Sequence, residues 1–222
     1  MSWLFDYAYA SRRQLASLVH PGGAEGFRSP PHPLTPAVVL LPGIYESWQF
    51  MRPLATALHQ QGYPVHFVPR LGLNRGAIPA TARLVAAHLQ QQGLSQVVLV
   101  AHSKGGLIGK YAMVHHDPDD RIRAMVAINT PFAGSTPARW IPLAAVRAFT
   151  PTDATLTALA AQTTVNARIT AINSSFDPHV PGHGKLSGAV NAALATPGHF
   201  RVLGDPQLLP AILEALRRTQ HE

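Results

Sequence analysis

From Ala37 onward, short runs of consecutive apolar residues alternate with longer stretches in which apolar positions recur every three or four residues. The short runs, at 37–41, 65–68, 97–101, 122–128, 168–172 and 189–193, read as strands. The longer stretches, at about 48–60, 79–92, 105–116 and 206–218, read as helices. The strands show no apolar-polar alternation: Val-Val-Leu-Leu from Val38 and Val-Val-Leu-Val from Val97 are apolar on both faces. Such strands suit a parallel sheet covered by helices on both sides. Gly62 and Gly93 fall just past two of the helices, where a left-handed residue ends the last turn. The pattern predicts an open, doubly wound α/β fold with a mostly parallel six-stranded sheet. Ligands of such sheets bind at the carboxyl ends of the strands.

Two regions depart from this rhythm. Residues 2–18 carry an apolar stripe of Trp3, Leu4, Tyr7, Leu15 and Leu18, which predicts a helix stopped by Pro21-Gly22-Gly23. A proline-studded connector follows at 28–36, so 1–36 reads as an extension docked on a domain spanning 37–222. Between Ile128 and Arg168 lie about 40 residues, divided by Pro131, Pro137, Pro142 and Pro151. Stretches 141–149 and 154–161 are compatible with two short helices. They predict a small helical cap at about 129–165, although two ordinary crossover helices produce the same pattern.

Composition narrows the chemistry. At 222 residues the chain fits one domain, and 46% apolar against 13% charged residues provides a packed core. Zero cysteines exclude a disulfide framework, a thiolate metal site and a cysteine nucleophile. Uninterrupted apolar runs reach only four or five residues, against the roughly 20 that a membrane span requires. The net charge is +7, but the arginines are scattered and form no basic stripe interleaved with aromatics, so nucleic acid is not the expected partner. The N-terminal residues lack a basic segment and place Asp6 where a secretory signal is apolar, which points to the cytoplasm. The histidine pairs His115-His116 and His179/His183 lack metalloprotease spacing, and no Gly-rich phosphate loop follows any strand, so neither metal nor cofactor is expected.

The informative stretch is Val97-Val-Leu-Val-Ala-His-Ser-Lys-Gly-Gly-Leu-Ile108. A buried strand runs into Ala101-His102-Ser103-Lys104-Gly105 and then directly into a helix. So tight a turn forces Ser103 into a strained conformation and needs small residues two positions either side, here Ala101 and Gly105. It raises the serine hydroxyl on a sharp corner at a helix N-terminus, where free N–H groups favour a developing anion.

This stretch resembles the nucleophile elbow of the α/β-hydrolase family, in the Ala-x-Ser-x-Gly form of some small bacterial lipases. Leu41-Pro42-Gly43-Ile44-Tyr45, after the first strand, resembles the family's oxyanion turn, with proline where histidine is common. The resemblance implies backbone N–H donors from Ile44, or Tyr45, and from Lys104. It also implies the order nucleophile, acid, histidine. Asp177, in Asn173-Ser-Ser-Phe-Asp-Pro-His-Val180 beyond a strand, resembles the acid. His199, in Thr196-Pro-Gly-His199, resembles the base, with His183 as its fallback and His179 also nearby.

The implied activity is hydrolysis of carboxylic esters, lipid or short-chain, through a Ser-His-Asp triad and an acyl-enzyme. Thioester hydrolysis, amide hydrolysis and acyl transfer use the same apparatus, and a binding protein on this fold is the rival class. Tyr45, Trp48, Phe50 and Met51 follow the oxyanion turn and either line an acyl pocket or pack the fold. Lys104 either draws an anionic substrate or lies on the solvent side of the elbow.

Overall fold

A computed structural model describes residues 2–19, 23–140, 143–180 and 184–221. Six strands form one sheet: β1 Val38–Leu41, β2 Val65–Phe67, β3 Val97–His102, β4 Ile122–Ile128, β5 Ile169–Ser174 and β6 Val190–Leu194. The helices among these residues are α1 Ser2–Val19, α2 Arg52–Gln60, α3 Ile78–Gln91, α4 Lys104–His115, α5 Ala144–Arg147, α6 Ala154–Ala161 and α7 Leu208–His221. The strand order is β2-β1-β3-β4-β5-β6, and every adjacent pair runs parallel.

The continuous apolar strands are explained by two cores, one on each face. Val39, Leu41, Leu99, Ala101, Met125 and Ala127 point toward α3 and α4 and pack with Val85, Leu89, Leu107 and Ile108. Their chain neighbours Val38, Leu40, Val98, Val100, Val126 and Ile128 point to the opposite face and pack with Leu54, Leu58, Ile212 and Leu216 of α2 and α7. Alternate side chains of one strand therefore feed different cores.

The strand order reverses at β1, which lies between β2 and β3. The loops leaving β1 and β3 diverge there and open a crevice at their carboxyl ends. The region expected to form a cap divides in two. Leu156 and Leu159 of α6 join the core beneath the sheet, as a crossover helix does, whereas Ser135, Pro137, Leu143, Val146 and Phe149 border the crevice. On the other side α1 lies against the short turns Trp48–Met51 and Arg201–Gly204, with the Arg13 guanidinium donating to the Phe50 carbonyl at 2.9 Å. No helix among the described residues is long and apolar enough to cross a membrane.

Candidate active site

Ser103 occupies the corner between β3 and α4 with φ +52° and ψ −120°, a conformation that costs a non-glycine residue on the order of 1–3 kcal/mol. Close packing imposes it. A Cβ on Gly105 would collide with the Leu41 carbonyl, and one on Gly106 with the Thr130 side chain. The first turn of α4 therefore rests directly on the end of β1, and the serine stands beside the β1 loop.

The loops after β5 and β6 bring the other two groups. His199 Nε2 lies 2.9 Å from Ser103 Oγ, and His199 Nδ1 lies 2.7 Å from Asp177 Oδ2. The carboxylate faces Nδ1, so the ring proton sits there and Nε2 presents a lone pair to the hydroxyl. Asp177 Oδ1 accepts the N–H groups of His179 at 2.8 Å and Val180 at 3.2 Å. Burial opposes its ionisation. The charge and hydrogen bond of His199 and the His179 N–H outweigh that, and hold the carboxyl below its ordinary value. Asp177, His199 and Ser103 are all buried. His183, the alternative base, lies outside the described residues.

Beside the serine, the Tyr45 N–H is taken by the Leu73 carbonyl at 2.8 Å and the Gly43 N–H by Glu46 Oε2 at 2.6 Å. Within this loop, that leaves the Ile44 N–H without a protein acceptor among the described residues. The Lys104 N–H, at the first position of α4, is likewise unspent. The Lys104 side chain does neither of the things expected of it. It is buried and donates to the Asn74 and Gly76 carbonyls, pinning the 74–76 loop, and burial lowers its ammonium to about 8.

A family model of the alpha/beta hydrolase fold matches residues 36–171. The chain belongs to the α/β-hydrolase family. This α/β-hydrolase is 33% identical over 112 residues to bifunctional epoxide hydrolase 2 of Sus scrofa, covering 46% of this chain and 20% of that enzyme. It is 33% identical over 116 residues to epoxide hydrolase B of Mycobacterium tuberculosis, covering 48% of this chain and 32% of that enzyme. The match thus takes in a third or less of each curated relative. Among solved structures, a mature lipase of Bacillus licheniformis superposes with TM-score 0.68 at 18% identity, over 84% of this chain and 95% of that one. A monoacylglycerol lipase of Paleococcus ferrophilus superposes with TM-score 0.63 at 16% identity, over 87% and 98%. These two likenesses are of fold.

Around Ser103 and His199 this α/β-hydrolase has an open cleft of about 550 Å³. Its walls are mostly apolar and include Ile44, Tyr45, Phe50, Val146, Phe149 and Phe200. Two expected lining residues are elsewhere. Trp48 turns away onto Phe27 and Phe67, and Met51 is sealed in the core with α2. The cause is the tight turn at Trp48–Met51, which directs Phe50 to the cavity and its neighbours to the β2 side.

Three further side chains hold the site together and had no visible signal in the sequence. Asn129 donates to the Gly198 and His199 carbonyls, each at 3.1 Å, and accepts the Ser174 N–H at 2.8 Å, so it ties the ends of β4 and β5 to the histidine loop. Glu46 meets His102 Nδ1 at 2.8 Å beneath the elbow, while His102 Nε2 meets the His199 carbonyl at 3.0 Å. Asp6, on α1, binds the same loop from the other side. His179 flanks His199 with ring centroids 5.0 Å apart, and burial, followed by the neighbouring His199, pushes it down to about 4. It is therefore neutral near pH 7.

Proposed function

We propose that this α/β-hydrolase is a serine hydrolase that cleaves carboxylic esters, with Ser103 as nucleophile, His199 as base and Asp177 as its orienting acid. The reading is carried by the His199 ring, set between Ser103 Oγ at 2.9 Å and Asp177 Oδ2 at 2.7 Å. Nε2 removes the hydroxyl proton as Oγ attacks the ester carbonyl carbon. The resulting oxyanion is received by the Ile44 and Lys104 N–H groups, each donor being worth about 3 kcal/mol of barrier. The imidazolium, steadied by Asp177, then protonates the departing alkoxide and an alcohol leaves. Water attacks the acyl-enzyme, gives its proton to His199, and the acid departs as Ser103 regains its hydrogen.

The epoxide hydrolases among the relatives raise a second substrate class, which the nucleophile disfavours. Opening an epoxide with the Ser103 oxygen would form an ether. An ether carries no carbonyl for water to attack, so the enzyme would stop after one event. An acyl ester has no such difficulty, and the apolar cavity suits its acyl chain. Thioester hydrolysis and acyl transfer alter only the leaving group or the second nucleophile.

A fluorophosphonate probe read by intact mass tests this reading. One equivalent should attach to Ser103, and Ser103→Ala should abolish labelling. Hydrolysis of p-nitrophenyl esters should fall by about 10⁴-fold or more in Ser103→Ala and in His199→Ala. Wild-type protein that resists the probe and hydrolyses no ester of any chain length would overturn the proposal in favour of a binding role.

A further inference from the structure

The carboxylate of Asp6 is 1% exposed and accepts three consecutive backbone N–H groups: His199 on Oδ2, and Phe200 and Arg201 on Oδ1, each at 2.9 Å. The donors lie more than 190 residues away along the chain. Two independent features show that the histidine loop is shaped around this group. The turn at Arg201–Gly204 has no capping side chain of its own, so its free amides are met by a carboxylate from another element. Gly198 has φ +119°, and a Cβ there would come within 2.5 Å of Asp6 Oδ1. Only glycine leaves room for the carboxylate in that position.

We infer that Asp6 is a positioning residue for the reaction, setting where the His199 ring stands through its backbone amide. The inference rests on the triad reading above. His199 is gripped at both ends of its backbone: the N–H by Asp6, the carbonyl by Asn129 Nδ2 at 3.1 Å and His102 Nε2 at 3.0 Å. With amide and carbonyl fixed, little freedom remains except side-chain rotation, and Asp177 sets that. Removing Asp6 strands the buried His199 amide and the half-buried amides of Phe200 and Arg201, and the loop must move to find other acceptors. Because base and nucleophile work within hydrogen-bonding distance, a shift of about 1 Å costs a proton transfer about 100-fold. Helix α1 therefore belongs to the catalytic apparatus. It carries this carboxylate and, through Tyr7, Ala10 and Gln14, forms one wall of the cavity.

The test compares Asp6→Ala and Asp6→Asn with wild type on a p-nitrophenyl ester and follows backbone amide exchange at 199–201. The control is Asp117→Asn, a carboxylate that likewise accepts two backbone N–H groups, of Arg121 and Ile122, at the opposite end of the sheet. In Asp6→Ala we expect kcat to fall by about 30-fold to 100-fold with KM within about twofold of wild type. Asp6→Asn keeps an acceptor for Phe200 and Arg201 but turns an NH₂ group toward the His199 N–H, so its loss should be intermediate. Exchange at 199–201 should quicken in both. Asp117→Asn should lose stability and keep its kcat, which separates positioning from general destabilisation. Folded Asp6 variants with wild-type kcat, or unchanged protection at 199–201, would overturn the positioning role while leaving the triad standing. A wild type that neither turns over esters nor labels at Ser103 would overturn both readings together.

Discussion

The imidazole of His102 has no exposed surface, yet both its nitrogens face oxygen acceptors, the Glu46 carboxylate and the His199 carbonyl. A neutral imidazole has one N–H and can satisfy only one of them, so the geometry calls for the imidazolium. Burial opposes that charge. The Glu46 charge and hydrogen bond, helped by the His199 carbonyl, overcome it and raise His102 above its ordinary value. A histidine raised in the folded state contributes stability that is complete below its unfolded value near 6.5. That contribution is lost as pH climbs through the folded value. Glu46→Gln removes the counter-charge and weakens the acceptor of the Gly43 N–H. We expect it to destabilise the protein by about 3 kcal/mol at pH 6. The gap to wild type should narrow as pH rises above about 6.5 and through the raised folded value of His102. Urea unfolding across that range checks the sign, and a gap that widened with pH would contradict a protonated His102.

Two lysines on α4 show how one element can carry the same perturbation with opposite consequences. Burial holds both Lys104 and Lys110 at about 8. Lys104 donates to the carbonyls of Asn74 and Gly76, whereas Lys110 has only the Phe132 ring, 6.0 Å from its ammonium, and no hydrogen-bond partner among the described residues. Lys104→Met strands two carbonyls and should cost about 1–2 kcal/mol net of the relieved charge. Lys110→Met gives up almost nothing and should stabilise by about 1–3 kcal/mol. Denaturant midpoints of the pair read the contrast directly. Neither lysine's fate was legible in the sequence, which left Lys104 between drawing an anionic substrate and lying on the solvent side of the elbow, and which held no reading of Lys110. What was legible was local: apolar runs announcing strands, and small residues flanking Ser103 announcing a sharp corner. The loops carrying Asp177 and His199 could be found because each follows a strand end. The Asp6 contact, the Glu46–His102 pair and the inward turn of Met51 depend on pairings between distant segments, to which hydrophobic periodicity is blind. Asp6 entered the sequence reading only as a charge where a secretory signal is apolar.

At the scale of the whole molecule, the cavity is assembled from parts that share no local sequence. The edge of the sheet supplies Ser103 and Phe50, α1 supplies Tyr7 and Ala10, and the segment after β4 supplies Val146 and Phe149. None of these pieces forms a cleft alone, and only together do they give about 550 Å³ beside the serine. If that space takes the acyl chain, each added methylene that finds an apolar wall should contribute about 0.8 kcal/mol, or about fourfold in kcat/KM. A panel of p-nitrophenyl esters of increasing chain length should therefore climb by about that factor per carbon and then level off as the cavity fills. Val146→Phe or Ala10→Phe takes up part of the same volume from either side. Each should move the plateau to shorter chains and leave acetate hydrolysis within about twofold of wild type. A profile flat with chain length in the wild type would mean that the acyl group lies outside this cavity. A plateau moved by Val146→Phe but not by Ala10→Phe would mean that α1 does not wall the acyl chain.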